Sequence, residues 1–282
     1  MPSDLSHSGA FPEYQLRSDR FLGLSSLTKS FLAVVGIQRL PKVNLLDTPS
    51  RRAKGLVLVF PGIEGHSEIN ESIVRGLAAA GIPYAIQVQR WCRFSFWNPL
   101  HLTMETHNRR MAAQIAELVC AYRRSSPVSP IYLVGHSAGA GMVLFVLEAL
   151  ANRSCKAEPI VETAVLLAAA VSEDFPFETV IPETRTGIWN FSSAFDFIAS
   201  VLGTLVFGTM DRRHKISIGA AGIRRKCRLR PTVTEPRASS NPVLNEIRYS
   251  PRMITAWNLG GHFGCTNSAF VKKHVAPLFE KP

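Results

Sequence analysis

The hydrophobic pattern of the chain changes character near residue 50. Before it, residues 1–50 are rich in Ser, Pro and Leu without sustained periodicity, and Pro41 and Pro49 punctuate the passage. After it, short unbroken apolar runs alternate with longer stretches of helical spacing. Residues 55–60, Gly-Leu-Val-Leu-Val-Phe, run apolar throughout and stop at Pro61-Gly62, as expected of a strand buried on both faces. Over residues 68–80, Ile69, Ile73, Leu77 and Ala80 recur on one helical face, and Gly81 follows as a stop.

The same alternation predicts strands at 84–88, 131–134, 164–169, 187–191 and 253–258, and helices at 105–122, 141–151, 195–207 and 269–278. Strands alternating with helices imply a mostly parallel sheet with helices on both faces and right-handed crossovers. At ~150 residues per domain, the chain divides into a loosely structured N-terminal extension over residues 1–50 and one α/β domain over residues 51–282. In such sheets ligands bind beyond the carboxyl ends of the strands, so chemistry is sought immediately after each one.

Composition bounds the partners. With 46% apolar and 19% charged residues, 16 Phe and 4 Trp, a disordered chain is excluded. The 32 Lys and Arg against 21 Asp and Glu leave a net charge of +11, and nine basic but only two acidic residues fall between Thr209 and Ala238. That field attracts anionic surfaces without specifying chemistry. The segment from Arg212 to Arg230 is therefore read first as solvated surface and second as a contact for an anionic surface. Charge alone is too little to expect a nucleic-acid partner, and the sequence does not speak to oligomeric state.

Cys92, Cys120, Cys155, Cys227 and Cys265 lie scattered, without C-x-x-C or Cys/His ligand spacing, so free thiols and no metal are expected. Neither a Walker loop nor G-x-G-x-x-G occurs where a nucleotide would need it, and no cofactor is expected. The apolar runs at 31–37 and 198–207 are too short to span a bilayer. The first follows Arg17, Arg20 and Lys29, in the manner of a signal peptide. It lacks an A-x-A site and carries Ile37 where a lipoprotein signal needs Cys. A loosely packed leader helix and a cytoplasmic location are expected, with export or membrane association through this segment as the alternative.

The strand at 131–134 runs into Gly135-His136-Ser137-Ala138-Gly139 and then a helix. This is G-x-S-x-G between strand and helix, where a tight turn presents the serine and a bulky neighbour would collide with the adjoining backbone. In this setting the sequence resembles the α/β-hydrolase superfamily, specifically its serine esterase and lipase-like branch, from about Gly55 to the C-terminus. The resemblance implies an α/β-hydrolase fold and a nucleophile, acid, histidine order. Ser137 then matches the nucleophile. His262, in Trp257-Asn258-Leu259-Gly260-Gly261-His262, matches the base, whereas His274 falls inside the closing helix. Asp196, after the 187–191 strand, matches the acid. The competing role for Asp196 is that of a helix N-cap, and Asp174, after the preceding strand, is the rival acid.

The oxyanion donors implied are the amides of Ala138 and Ile63. Gly62 permits the turn that brings Ile63 forward, and Gly62 and His136 are expected to line the substrate site. Pro61 stands where the family often has histidine, and Glu64 and His66 follow at the mouth. The short connection between the 164–169 and 187–191 strands leaves little or no room for a lid, while residues 207–249 are long enough to wall the pocket. Trp91, Phe94, Phe96 and Trp97 read as core or as an acyl-binding surface, core being favoured. The function implied is a serine hydrolase cleaving a carboxylic ester or thioester of a small molecule or lipid through an acyl-enzyme. An acyltransferase with the same triad, or a non-catalytic binding protein on this fold, is the alternative.

Overall fold

The computed structural model describes residues 18–37, 46–92, 100–153, 158–196, 208–223 and 242–279. Its centre is a sheet of six parallel strands in the order β2-β1-β3-β4-β5-β6. The strands are β1 Leu56–Phe60, β2 Ala85–Val88, β3 Ile131–His136, β4 Val161–Leu167, β5 Thr184–Ser192 and β6 Val243–Arg248. The principal helices are α1 Asp19–Val34, α2 Glu68–Ala79, α3 Glu105–Ser125 and α4 Ala138–Ala151. A closing helix follows, in which Ser268–Phe270 is α-helical, Val271–Val275 widens to π and Ala276–Phe279 tightens to 3₁₀.

Period-two alternation sorts β1 between two cores. Leu56, Leu58 and Phe60 join Ile115 and Val119 of α3 and Met142 and Val146 of α4. Val57 and Val59 point the opposite way, toward Ile73 and Leu77 of α2 and Phe270 and Phe279 of the closing helix. Every residue of β1 and β3 is buried, as a parallel sheet covered on both faces requires. The chain leaves β1 for β2 on one side and returns to β3 on the other, so the strand order reverses between β1 and β3. In doubly wound sheets ligands bind at the carboxyl ends of the strands at this switch point.

The strands expected at 55–60, 84–88, 131–134, 164–169 and 187–191 are all present, as are the helices beginning at Glu68 and Glu105. One expectation is corrected. Residues 253–258 are not a strand: Pro251–Ala256 is a 3₁₀ helix, and Trp257 ends it in the left-handed region at φ 64°. The sixth strand is instead β6, within what was read as pocket wall. The expected helix at 195–207 begins as a Ser193–Asp196 turn closed by the Asp196 N–H on the Ser193 carbonyl at 3.0 Å, and residues 197–207 lie outside the described residues.

Within the extension expected to be loosely structured, residues 19–34 form α1, capped by the Ser18 hydroxyl and docked on the closing helix. Lys272 reaches Asp19 at 2.8 Å across this contact. Among the described residues no helix is long and apolar enough to cross a membrane.

Candidate active site

β3 ends at His136 and α4 begins at Ala138, leaving Ser137 alone to turn the chain. It does so at φ 56°, ψ −120°, a conformation that costs a non-glycine residue roughly 1–3 kcal/mol. Three backbone bonds hold it there: the Ser137 N–H donates to the Leu167 carbonyl at 2.9 Å, and the Ser137 carbonyl accepts from the Ala140 and Ala170 N–H groups, each at 3.1 Å. The flanking glycines answer a steric demand. A Cβ on Gly139 would lie 2.1 Å from the Phe60 carbonyl oxygen, and one on Gly135 would lie 2.4 Å from the Gly139 carbonyl oxygen.

The loop after β1 lies directly beside the serine, since a Cβ on Gly62 would come within 3.1 Å of the Ser137 Cβ. The loop is a turn closed by the Gly65 N–H on the Gly62 carbonyl at 3.0 Å, with Ile63 as its second residue. The Gly62 amide is spent on Glu64 Oε1 at 3.1 Å. Trp91 steadies the same loop by donating from Nε1 to the Pro61 carbonyl at 2.8 Å. Trp91 is therefore buried core, and Phe94, Phe96 and Trp97 lie outside the described residues. Ala138 is the first residue of α4, so its amide has no intrahelical partner and stays available at the serine.

His262 sits in a turn closed by the Gly264 N–H on the Gly261 carbonyl at 2.9 Å. Its Nδ1 meets Asp196 Oδ1 at 2.8 Å, and the Asp196 carboxylate is almost wholly buried. The two loops are tied a second time, because the Ser193 hydroxyl donates to the Gly260 carbonyl. Gly260 has φ 83°, which a side chain would strain, and its N–H donates to Asn258 Oδ1 at 2.9 Å. Behind the carboxylate lies a small cavity lined in part by Ser193, Phe191, Tyr249 and Cys265. Ser137 does not line it, so it is the back of the acid rather than a substrate cleft.

Burial works to lower the His262 pKa, but the hydrogen bond to Asp196, together with the charges of Asp196 and Glu64, outweighs it. The imidazole is held above its ordinary value. Asp174, the rival acid, lies elsewhere, in an exposed ion pair with Lys215 Nζ at 2.5 Å. The nearby thiols are poor nucleophiles: burial, with Glu64 adding to it, pushes Cys92 up to about 12, and burial also raises Cys265.

His136, expected to line the substrate site, is fully buried beneath the histidine loop. Its Nε2 donates to the His262 carbonyl at 3.2 Å, and its Nδ1 stands 3.5 Å from Glu64 Oε1, ion-pair rather than hydrogen-bond distance. Glu64, expected at the mouth, is likewise buried. Gly62 N–H, Glu64, His136 and the His262 carbonyl thus form a chain linking the oxyanion loop to the histidine loop. This link was not foreseen, and a carboxylate two residues after a turn glycine gives little sequence signal for it. His66 pairs with Glu71 at 2.6 Å. Of the basic segment, Arg212 and Arg213 are exposed, and residues 224–230 lie outside the described residues.

No family model matches the sequence, and neither does any curated protein. Among solved structures the chain is similar to a predicted CIB-like hydrolase from Thermoplasma acidophilum, with 15% identity, coverage of 82% of this chain and 88% of that one, and a TM-score of 0.43. It is similar to esterase PE8 at 14% identity, covering 81% of this chain and 96% of that one, with a TM-score of 0.44. A Trichoderma reesei cutinase in complex with a phosphonate inhibitor is 10% identical, with 93% of this chain and 90% of that one covered and a TM-score of 0.38. The chain's own topology decides the architecture. With six parallel strands, a serine at the strained β3–α4 junction, and an aspartate after β5 meeting a histidine after β6, the protein has the α/β-hydrolase fold.

Proposed function

We propose that the protein is a serine hydrolase that cleaves a carboxylic ester or thioester through an acyl-enzyme. The observation that carries this reading is the contact of His262 Nδ1 with the buried Asp196 at 2.8 Å, in a loop whose His262 carbonyl accepts from His136, the residue before a serine held at positive φ. Asp196 fixes the imidazole with its hydrogen on Nδ1, leaving Nε2 to accept the proton of the Ser137 hydroxyl.

In the first half-reaction the Ser137 oxygen attacks the acyl carbon and its proton passes to His262 Nε2. The carbonyl π electrons move onto oxygen, where the Ile63 and Ala138 amides stabilise the charge. Collapse of the tetrahedral intermediate expels the alcohol or thiol, which takes the proton from the imidazolium. In the second half-reaction water attacks the acyl-enzyme, gives its proton to His262, and Ser137 leaves as the protonated hydroxyl with release of the carboxylic acid.

The reading is tested by hydrolysis of a series of p-nitrophenyl esters of increasing acyl length. Wild type is expected to turn over at least one member with burst kinetics, and Ser137→Ala and His262→Ala each to lose on the order of 10³-fold or more in kcat. Turnover retained by folded Ser137→Ala would refute it.

A further inference from the structure

Helix α1 is packed inside out. Its buried positions are Leu22, Gly23, Ser26, Ser30 and Ala33, and the last four are small residues on one face of the helix. Most of its large apolar side chains point away: Leu22 is buried and Leu32 half-buried, but Phe21, Leu24, Leu27, Phe31 and Val34 are exposed, with Leu24 at 56% and Phe31 at 66%. Val35 and Ile37 extend the exposed apolar surface just past the helix. An amphipathic helix on a protein in water places these two sets the other way round.

The orientation is fixed by contacts that only small residues allow. The Gly23 carbonyl accepts from Asn267 Nδ2 at 3.0 Å, and the Ser26 hydroxyl oxygen accepts from the Ser268 N–H at 3.1 Å. A Cβ on Gly23 would fall 2.1 Å from the Trp257 ring. Rolling the helix to bury Phe31 would break both hydrogen bonds and drive a large side chain into the closing helix.

The exposed apolar surface continues toward the candidate active site. Trp257, packed on Gly23, is flanked by Ile254 and Leu259, both about half exposed, and Leu259 lies three residues before His262. Around this surface the charges are mostly of one sign. Arg20, Arg252 and Lys273 are exposed, and Asp19, the only acid in residues 18–37, is already paired with Lys272. The whole chain carries +11. A second copy meeting this face would bring the same positive charge, whereas an anionic lipid surface offers both the opposite charge and an apolar medium.

We propose that the outer face of α1, together with Ile254 and Leu259, docks on an anionic lipid surface and lays the His262 loop against it. The helix lies in the interface, since it is too short to span a bilayer. The proposal stands apart from the catalytic reading, because docking is measured without turnover.

The test is flotation of the full-length protein with vesicles of phosphatidylcholine alone and of phosphatidylcholine mixed with phosphatidylglycerol. Two variants are compared with wild type: Leu24→Ser/Phe31→Ser on α1, and Leu118→Ser/Val128→Ser at residues exposed elsewhere. Wild type is expected to bind the mixed vesicles, less at high salt, and the Leu118/Val128 variant to bind as wild type does. The Leu24/Phe31 variant is expected to bind roughly tenfold more weakly or worse, with no loss of thermal stability. Wild type that fails to bind, or a Leu24/Phe31 variant that binds equally well, would overturn the proposal. So would a wild-type dimer that the Leu24/Phe31 substitutions dissociate, which would assign the face to a second copy.

Discussion

Asp196 and His262 lie 66 residues apart in sequence and meet at 2.8 Å, on loops that leave neighbouring strands and are joined again by the Ser193 hydroxyl on the Gly260 carbonyl. The contact sets the tautomer of the imidazole and opposes the burial that would otherwise discharge it. Removing the acid therefore leaves the histidine in place with its hydrogen on the wrong nitrogen. Asp196→Asn is expected to lower kcat on the order of 10³-fold or more with little change in KM. Asp174→Asn weakens the exposed pair with Lys215 and should leave kcat within about twofold of wild type. Steady-state kinetics of the two variants on one ester substrate checks both.

The raised His262 pKa gives the pH profile a direction. A general base must be neutral, so kcat/KM should rise with pH through a value above the ordinary imidazole value of about 6.5. Glu64 adds to that elevation through its charge, so Glu64→Gln is expected to move the limb toward lower pH while the serine remains reactive. The same elevation links to stability with the opposite sense. The imidazolium–Asp196 pair contributes in full below the unfolded-state pKa and is lost as pH rises through the folded-state value. Urea unfolding of wild type and His262→Gln across this range is expected to show the difference between them shrinking as pH increases.

Gly139 is a packing requirement at the serine turn. The Phe60 carbonyl oxygen lies 2.1 Å from where a Cβ would stand, and backbone cannot swing aside as a flexible side chain can. Gly139→Ala is expected to cost about 2 kcal/mol or more in chemical denaturation. It should also disturb the Phe60-Pro61 backbone that leads into the oxyanion loop, so the residual folded fraction should lose kcat as well.

Beyond its backbone ladder with β5, the edge strand β6 is tied to the fold through Glu246. Its carboxylate accepts from Asn190 Nδ2 at 2.8 Å, from the Ser192 hydroxyl and from the Ile223 N–H at 3.1 Å. Glu246→Ala leaves the Ser192 hydroxyl and the Ile223 N–H without this acceptor, and Asn190 with only the Ile218 carbonyl, at a cost of about 1–3 kcal/mol. Because β6 leads into the segment bearing His262, activity should become more heat-labile than the global melting transition, a comparison that activity half-life and circular dichroism make directly.

These features differ in how openly the sequence announced them. β1, β3 and β4 are central strands buried along all or nearly all of their length, and their apolar runs could be read directly. The strained turn at Ser137 was legible because it needs small neighbours, which leave a short local pattern, whereas His262 was picked out by its place in the nucleophile, acid, histidine order that the resemblance implies. β6 was not, since an edge strand is covered less completely and can carry Asn245, Glu246 and Arg248 in place of an apolar run. Residues 253–258 misled in the opposite sense: Met253 and Ile254 have strand-like side chains, yet Pro251 opens a 3₁₀ turn and Trp257 closes it at positive φ. The Glu64–His136 link joins residues brought together only by the switch in strand order between β1 and β3, so no local window contains it. The large apolar residues of α1 read as those of a helix, but which of them would be buried depended on the small residues opposite.

The most direct test of the central claim is reaction with an alkyl fluorophosphonate, with the modified residue located by peptide mass spectrometry. The reagent requires an activated serine and no knowledge of the natural ester. The account predicts one equivalent of adduct at Ser137, abolished in Ser137→Ala and slowed on the order of 10²-fold or more in both His262→Ala and Asp196→Asn. Folded wild-type protein that stays unlabelled, or labelling at Ser137 that is indifferent to both His262→Ala and Asp196→Asn, would contradict it.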